Sequence, residues 1–175
     1  KVTPKDYAEI ICKEIIKKVK SLGLEQPTLI IEPGRSIVAR SGVAIYTIGG
    51  IKEIPNLRKY VSVDGGMADN LRPALYGSKY SVFSINKSSE IHNDIVTIAG
   101  KFCETGDKLV ENGLLPKVEP NDLIAIPVSG AYNISMSSNY NMSLRPAVVL
   151  INGDKLKVIR RKETYDDVLS TGEGL

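Results

Sequence analysis

The stretch TLIIEPGR, residues 28–35, is a nearly unbroken apolar run closed by an acid, a Pro-Gly break and an arginine. Such a run is the pattern of a strand buried on both faces, as in a parallel α/β sheet. Upstream, Thr3-Pro4-Lys5-Asp6 predicts an N-cap, a proline at N1 and an acid at N3. Tyr7, Ile11, Ile15 and Val19, with Ile10 and Ile16, recur at helical spacing. Gly23 ends that helix, and residues 36–42 read as a second, short one. Residues 1–45 therefore read helix, buried strand, glycine turn, helix.

Downstream the character changes. Residues 43–53, 60–64, 80–86, 91–99 and 122–127 are β-branched and alternating. A last pair, 146–151 and 155–161, is joined through Asn152-Gly153-Asp154, a hairpin signal. Glycines and prolines punctuate the gaps. This part predicts a mainly β domain, with a closed barrel or sandwich as the economical arrangement. Residues 165–170 predict a short terminal helix, and 171–175 a loose tail.

Composition narrows the function classes. The chain has 175 residues, 42% apolar and 25% charged, ordinary values for a globular protein. A net charge of +3 with interspersed signs argues against nucleic-acid or membrane-surface binding. No apolar run is long enough to span a bilayer, and residues 1–20 do not read as a signal peptide. Cys12 and Cys103 lie far apart in unlike contexts, which points to a reducing compartment, the cytoplasm, rather than a disulfide framework. Cys12, on the helix stripe, reads as core packing. With one histidine, His92, a zinc site is not expected. The start at Lys1 rather than Met suggests that the amino-terminal part of a longer protein is absent; a processed or tagged chain would look the same.

Four loops carry chemistry. In Glu32-Pro33-Gly34-Arg35 an acid sits at the carboxyl end of the predicted strand, where α/β folds place ligands. Gly34 allows a backbone N–H to approach an anion, and Arg35 can fork onto a carboxylate or phosphate. A turn with a surface ion pair fits the same residues. In the run from Asp64 to Gly77, Arg72 and Tyr76 are four apart, so one helical turn puts both on one side. That is a carboxylate clamp, or a polar loop around a buried Tyr. In Gly100–Asp107, Cys103 stands beside Glu104 in a glycine-punctuated turn. The neighbouring acids should favour the protonated thiol, which suits a proton donor; an inert buried Cys is the alternative. In the loop from Gly130 to Asn141, small residues around Tyr132 would let its hydroxyl reach a ligand phosphate, or simply pack it in a corner.

In this order, EPGR (32–35), VDGGMADNLRPALYG (63–77), GKFCETGD (100–107) and GAYNISMSSNYN (130–141) with RPA (145–147) resemble the carboxyl-terminal part of the diaminopimelate decarboxylases. These belong to the alanine-racemase-like, fold type III pyridoxal-phosphate decarboxylases. The likeness runs from about Leu24 to Asp166. Ornithine and arginine decarboxylase relatives have different Cys loops. Thr105 stands where the family usually has Ser and keeps the hydroxyl.

The resemblance implies an α+β chain: the terminal part of a (β/α)8 barrel over residues 1–45, with 28–32 as its last strand, then a C-terminal β-domain over 46–175. It implies decarboxylation of meso-2,6-diaminopimelate to L-lysine and CO2, a step of lysine biosynthesis, with pyridoxal 5'-phosphate as cofactor. Glu32 would pair with the pyridine nitrogen, and Gly34, Arg35 and Tyr132 would hold the phosphate. Arg35, Arg72 and Tyr76 would grip the substrate's far carboxylate beside Tyr132, Glu104 its far ammonium, and Cys103 would protonate the α-carbon. It also implies a homodimer whose shared active sites place Cys103 and Glu104 near the interface. A strand received from the protein's amino terminus would complete the β-domain, so a sheet edge is expected to be open. The family's Schiff-base lysine, in its motif, is not among this chain's lysines, so the chain is expected to be an inactive carboxyl-terminal fragment. Two alternatives remain at this point: a carboxynorspermidine-type decarboxylase of the same fold, and a non-catalytic β-domain used for oligomerisation.

Overall fold

The structure is a computed structural model that describes residues 2–173. The chain divides into two compact units, Lys1–Pro33 and Gly34–Leu175.

The first unit is a helix, α1 (Pro4–Leu22), followed by a segment without regular structure. Its start is built as the sequence predicts. Thr3 and Asp6 form a reciprocal capping box, and Pro4 opens the first turn. Gly23 adopts φ +63° and donates to the carbonyls of Lys20 and Val19, closing the helix. No residue of α1 is buried. Residues 28–32 do not form the expected strand, and Leu29, Ile30 and Ile31 are exposed. A doubly buried strand needs a ladder on both sides for its backbone groups, and among the described residues no strand pairs with this segment.

The second unit is mainly β. Two 3-10 turns, Gly34–Ser36 and Ala39–Ser41, stand where a short helix was expected. Then come β1 (Val43–Ile54), β2 (Arg58–Val63), α2 (Arg72–Tyr76), β3 (Phe83–Ser84), β4 (Asp94–Ala99), β5 (Lys108–Leu115), β6 (Leu123–Pro127), α3 (Asn133–Met136), β7 (Val148–Asn152), β8 (Lys155–Arg160) and α4 (Tyr165–Leu169). Six strands form one sheet in the order β3-β6-β1-β2-β4-β5, antiparallel except for the β2–β4 pair. Alternating side chains from one face form the core: Tyr46 and Ile48 from β1, Val61 and Val63 from β2, Val96 and Ile98 from β4, Ile124 and Ile126 from β6. Val82, just before β3 at one edge, lies so close to Gly113 of β5 at the other that an added Cβ would meet its Cγ1 at 2.6 Å. The sheet therefore curls its edges towards each other, and β3 and β5 are not hydrogen-bonded neighbours. It is an incompletely closed barrel rather than a sandwich.

The sequence reading missed β5. Lys108–Leu115 contains Asn112-Gly113, which looks like a turn. In the fold Asn112 takes φ +55° inside the strand, at the register shift opposite Val96–Ile98. The pair is a bulge that bends β5 over the core, not a reversal. The hairpin β7–β8 forms as expected: Asn152 faces Lys155 across Gly153-Asp154, with Gly153 at φ +58°. α4 forms with its own Thr164–Asp167 capping box. The expected loose tail, 171–175, extends past the described residues at 174 and 175.

Candidate active site

The loops that the sequence singles out are knitted to the sheet and to one another. The Gly130 loop packs directly on the chain before β1. Ser129 and Gly130 donate their N–H groups to the carbonyls of Gly42 and Ala39, at 2.9 and 3.0 Å. A Cβ on Gly130 would fall 2.1 Å from the Val38 carbonyl oxygen, so only glycine permits this approach. The loop also carries Val128 at φ +62° and Tyr132 at φ +69°. For a β-branched residue that backbone is strained, and the surrounding hydrogen bonds hold it there.

This packing brings Tyr132 to the Gly34 turn. Gly34 adopts φ +57°, and an added Cβ would meet only the Tyr132 hydroxyl, at 3.7 Å. The Tyr132 ring also covers Arg72, whose guanidinium carbon lies 4.9 Å from its centroid. Tyr76, one turn along α2, covers the same guanidinium at 5.0 Å. Arg72 is thus set between two aromatic faces, which fixes a planar cation without neutralising it. Arg72 and Arg35 both line a cleft of about 210 Å³. Lys79 adds a third cation, and no acid lines the cleft. Its sign favours carboxylate or phosphate. Glu32 belongs to the first unit, where it is exposed outside regular structure.

The Cys103 loop is clamped by Asp107. That side chain is 3% exposed, and its two oxygens accept the N–H groups of Met67 at 2.6 Å and Phe102 at 2.8 Å. One carboxylate therefore ties the Gly65-Gly66 loop to the Cys loop. Gly66 and Gly100 close around it; a Cβ on either would lie within 2.5 Å of at least one of its oxygens. Burial pushes the Asp107 carboxyl above its ordinary value, and the two backbone donors pull the other way. Gly106 sits 3.6 Å, measured from an added Cβ, from the Ala74 side chain, so the Cys loop rests on α2. Cys103 and Glu104 face outward and are exposed.

Sequence reasoning did not foresee two further features. Tyr140 donates its hydroxyl to Glu104 Oε2 at 3.2 Å and meets the Phe102 ring edge-on, 5.6 Å between centroids. The Glu104 carboxylate holds the Tyr140 phenol above its usual value. Asp107, one of the acids neighbouring the thiol in sequence, is a buried strut between two loops. Both depend on contacts 36 to 40 residues apart in sequence, which no local pattern signals.

The sequence matches the family described as pyridoxal-dependent decarboxylase, C-terminal sheet domain, over residues 24–130. The chain belongs to this family. Diaminopimelate decarboxylase of Bacillus subtilis is 44% identical over 164 residues, which cover 94% of this chain and 37% of the relative. The crystal structure of diaminopimelate decarboxylase from M. jannaschii in co-complex with L-lysine superposes with a TM-score of 0.85 at 39% identity, covering 97% of this chain and 38% of that one. The Helicobacter pylori enzyme complexed with L-lysine gives 0.76 at 38% identity, covering 87% and 37%. The chain thus spans a little over a third of the length of these relatives, and its curled sheet unit is the family's C-terminal sheet domain.

Proposed function

We propose that this chain supplies the carboxyl-terminal part of a pyridoxal-phosphate-dependent diaminopimelate decarboxylase, converting meso-2,6-diaminopimelate to L-lysine and CO2. The observation that carries the reading is the convergence of Arg72, Tyr76, Tyr132 and the Gly34 turn, beside a loop that presents Cys103 and Glu104, in a chain of this family.

The residues suit the cofactor. The Gly34 turn leaves its Cβ position open beside the Tyr132 hydroxyl, room and polarity for a phosphate held with the Arg35 backbone. Glu32 would keep the pyridine nitrogen protonated. When bound, pyridoxal phosphate supplies an electron sink for the pair left on the α-carbon as CO2 departs. The chain's own groups do the rest. Arg35 and Arg72 bind the far carboxylate, with Arg72 held in plane by its two tyrosines. Glu104 binds the far ammonium, so both signs are recognised at once. The Cα–carboxylate bond breaks, and Cys103 Sγ delivers its proton to that carbon, forming the new C–H bond. The thiolate left behind recovers a proton from solvent, to which Cys103 is exposed in this chain.

In the whole protein this outward-facing Cys loop serves a homodimer with shared sites, in the cytoplasm. Among the described residues no helix is long and apolar enough to cross a membrane. The test is turnover by the whole protein that contains this chain, supplied with pyridoxal phosphate. L-lysine and CO2 in equal amounts from meso-diaminopimelate support the reading. Preference for carboxynorspermidine, or an assembly role without turnover, overturns it. In the active enzyme, Cys103→Ala should lower kcat about 10²- to 10⁴-fold while leaving KM within about threefold.

A further inference from the structure

The Cys loop has a second support that the proposed chemistry does not use. Tyr140 touches it twice, by its hydroxyl on Glu104 Oε2 and by its ring on Phe102, which leaves the other Glu104 oxygen free for a ligand. The segment around Tyr140 does not rest in a relaxed backbone. Asn141 and Met142 adopt φ +52° and +58° in succession; asparagine tolerates that region, but methionine keeps it only when held.

Glu163 does the holding. Its Oε2 accepts Asn139 Nδ2 at 2.7 Å and the Arg145 N–H at 2.8 Å. Its Oε1 takes one guanidinium nitrogen each from Arg145, at 3.1 Å, and Arg160, at 3.2 Å. Its own N–H donates to the Arg145 carbonyl at 3.1 Å. Asn139 Nδ2 also reaches the Ser143 carbonyl at 2.9 Å. The strained pair is therefore pinned at both ends by one carboxylate that lies beyond β8.

We propose that Tyr140 is a positioning residue for Glu104, and that Glu163 is the anchor that keeps Tyr140 in place. An exposed glutamate has several rotamers, and a site that must find an ammonium pays for each one it visits unproductively. The Tyr140 hydroxyl selects one of them. The effect is specific to the end of the ligand that carries the far ammonium, because the Tyr140 hydroxyl acts through Glu104 alone, and Tyr140→Phe keeps the ring contact with Phe102. This inference rests on the function proposed above.

The test uses the whole, cofactor-loaded protein. For Tyr140→Phe, KM for meso-diaminopimelate should rise about fivefold with kcat within about twofold. Calorimetry supplies a readout independent of turnover. L-lysine binding should weaken by about the same factor, while 6-aminohexanoate, which is L-lysine without the α-amine, should bind as before. Glu163→Gln should reproduce this pattern in milder form. In a Glu104→Gln background, Tyr140→Phe should add nothing. Equal weakening towards both ligands, or additivity with Glu104→Gln, overturns the proposal while leaving the decarboxylase reading intact. A whole protein that neither decarboxylates meso-diaminopimelate nor binds L-lysine overturns that reading, and this inference with it.

Discussion

Asp107 offers the most direct measurement of what holds the site together. Replacing it with Ala removes the acceptor of two backbone N–H groups, from Met67 and Phe102, in a place where the side chain is 3% exposed. Each orphaned donor costs about 1–3 kcal/mol, so the pair costs about 4 kcal/mol. Collapse cannot recover much of this, because Gly66 and Gly100 present bare backbone to the carboxylate and have no side chain to fill the gap. Asp107→Asn keeps one acceptor oxygen but turns an NH2 towards the other donor, so about 2 kcal/mol should be lost. The assay is urea unfolding followed by tyrosine fluorescence, with hydrogen exchange read at Met67 and Phe102. Both amides should lose protection in the Ala variant, and the unfolding midpoint should fall. Titration adds a signed check. Because burial raises the folded carboxyl above its reference of 3.8, its contribution is fully present below that reference and lost as pH rises through the folded value. Asp107→Asn should abolish that falling segment of the stability profile. Unchanged exchange at the two amides in Asp107→Ala would refute the strut.

Four further outcomes follow from the same geometry. Gly130→Ala should destabilise the sheet unit by about 3 kcal/mol or prevent its accumulation, since the new Cβ would meet backbone atoms of Val38, Gly42 and Ala39; thermal melting checks it. Arg72→Lys retains charge but loses the planar fork between Tyr76 and Tyr132, so KM for the substrate should rise about tenfold with little change in melting temperature. Asn112→Val should cost roughly 1–2 kcal/mol, because a β-branched side chain must enter the left-handed region at φ +55°, whereas Asn112→Gly should be close to neutral; urea midpoints of the two variants decide this. Arg161 holds the Asp167 carboxyl below its ordinary range, so the stability this gives is present above about pH 3.8 and lost as pH falls through the folded value; Asp167→Asn should flatten that acid limb in a melting-temperature profile.

The fold was legible where local rules suffice. The Thr3 capping box, the Gly23 cap, the Asn152-Gly153-Asp154 hairpin and the Arg72–Tyr76 helical turn all follow from neighbours in sequence. Two elements were not. Residues 28–32 read as a buried strand because composition reports what a segment would do among neighbours, and no described strand provides them. Lys108–Leu115 was not recognised as a strand, and its Asn112-Gly113 pair suits a hairpin turn as well as a strand bulge; in the fold Val82 lies against Gly113 across the curled sheet. At the site, the motifs pointed to the groups proposed above to face a ligand. They did not name Asp107, Tyr140 or Glu163 as supports, since each acts on a partner many residues away.

That division between presented and supporting groups has a physical reason. The groups proposed to meet a ligand, Arg72, Tyr76, Cys103 and Glu104, are at least partly open to solvent, so little of the core's packing fixes them directly. Precision must come from a few strong contacts made just behind them. Asp107 is one buried carboxylate for two loops, Glu163 is one carboxylate for four donors of the Tyr140 segment and β8, and Gly130 is one close backbone approach for the Tyr132 loop. Each support constrains a different part of the proposed site: the loop that carries Cys103 and Glu104, the placement of Glu104 on that loop, and the Gly34 turn with its neighbouring arginine. Substitution at a support should therefore degrade only the elements that support holds. Cys103 chemistry should fail with Asp107, together with the Glu104 site on the same loop, distal-ammonium selectivity alone with Glu163, and anion binding with Gly130. A site held by general packing alone would lose all three together.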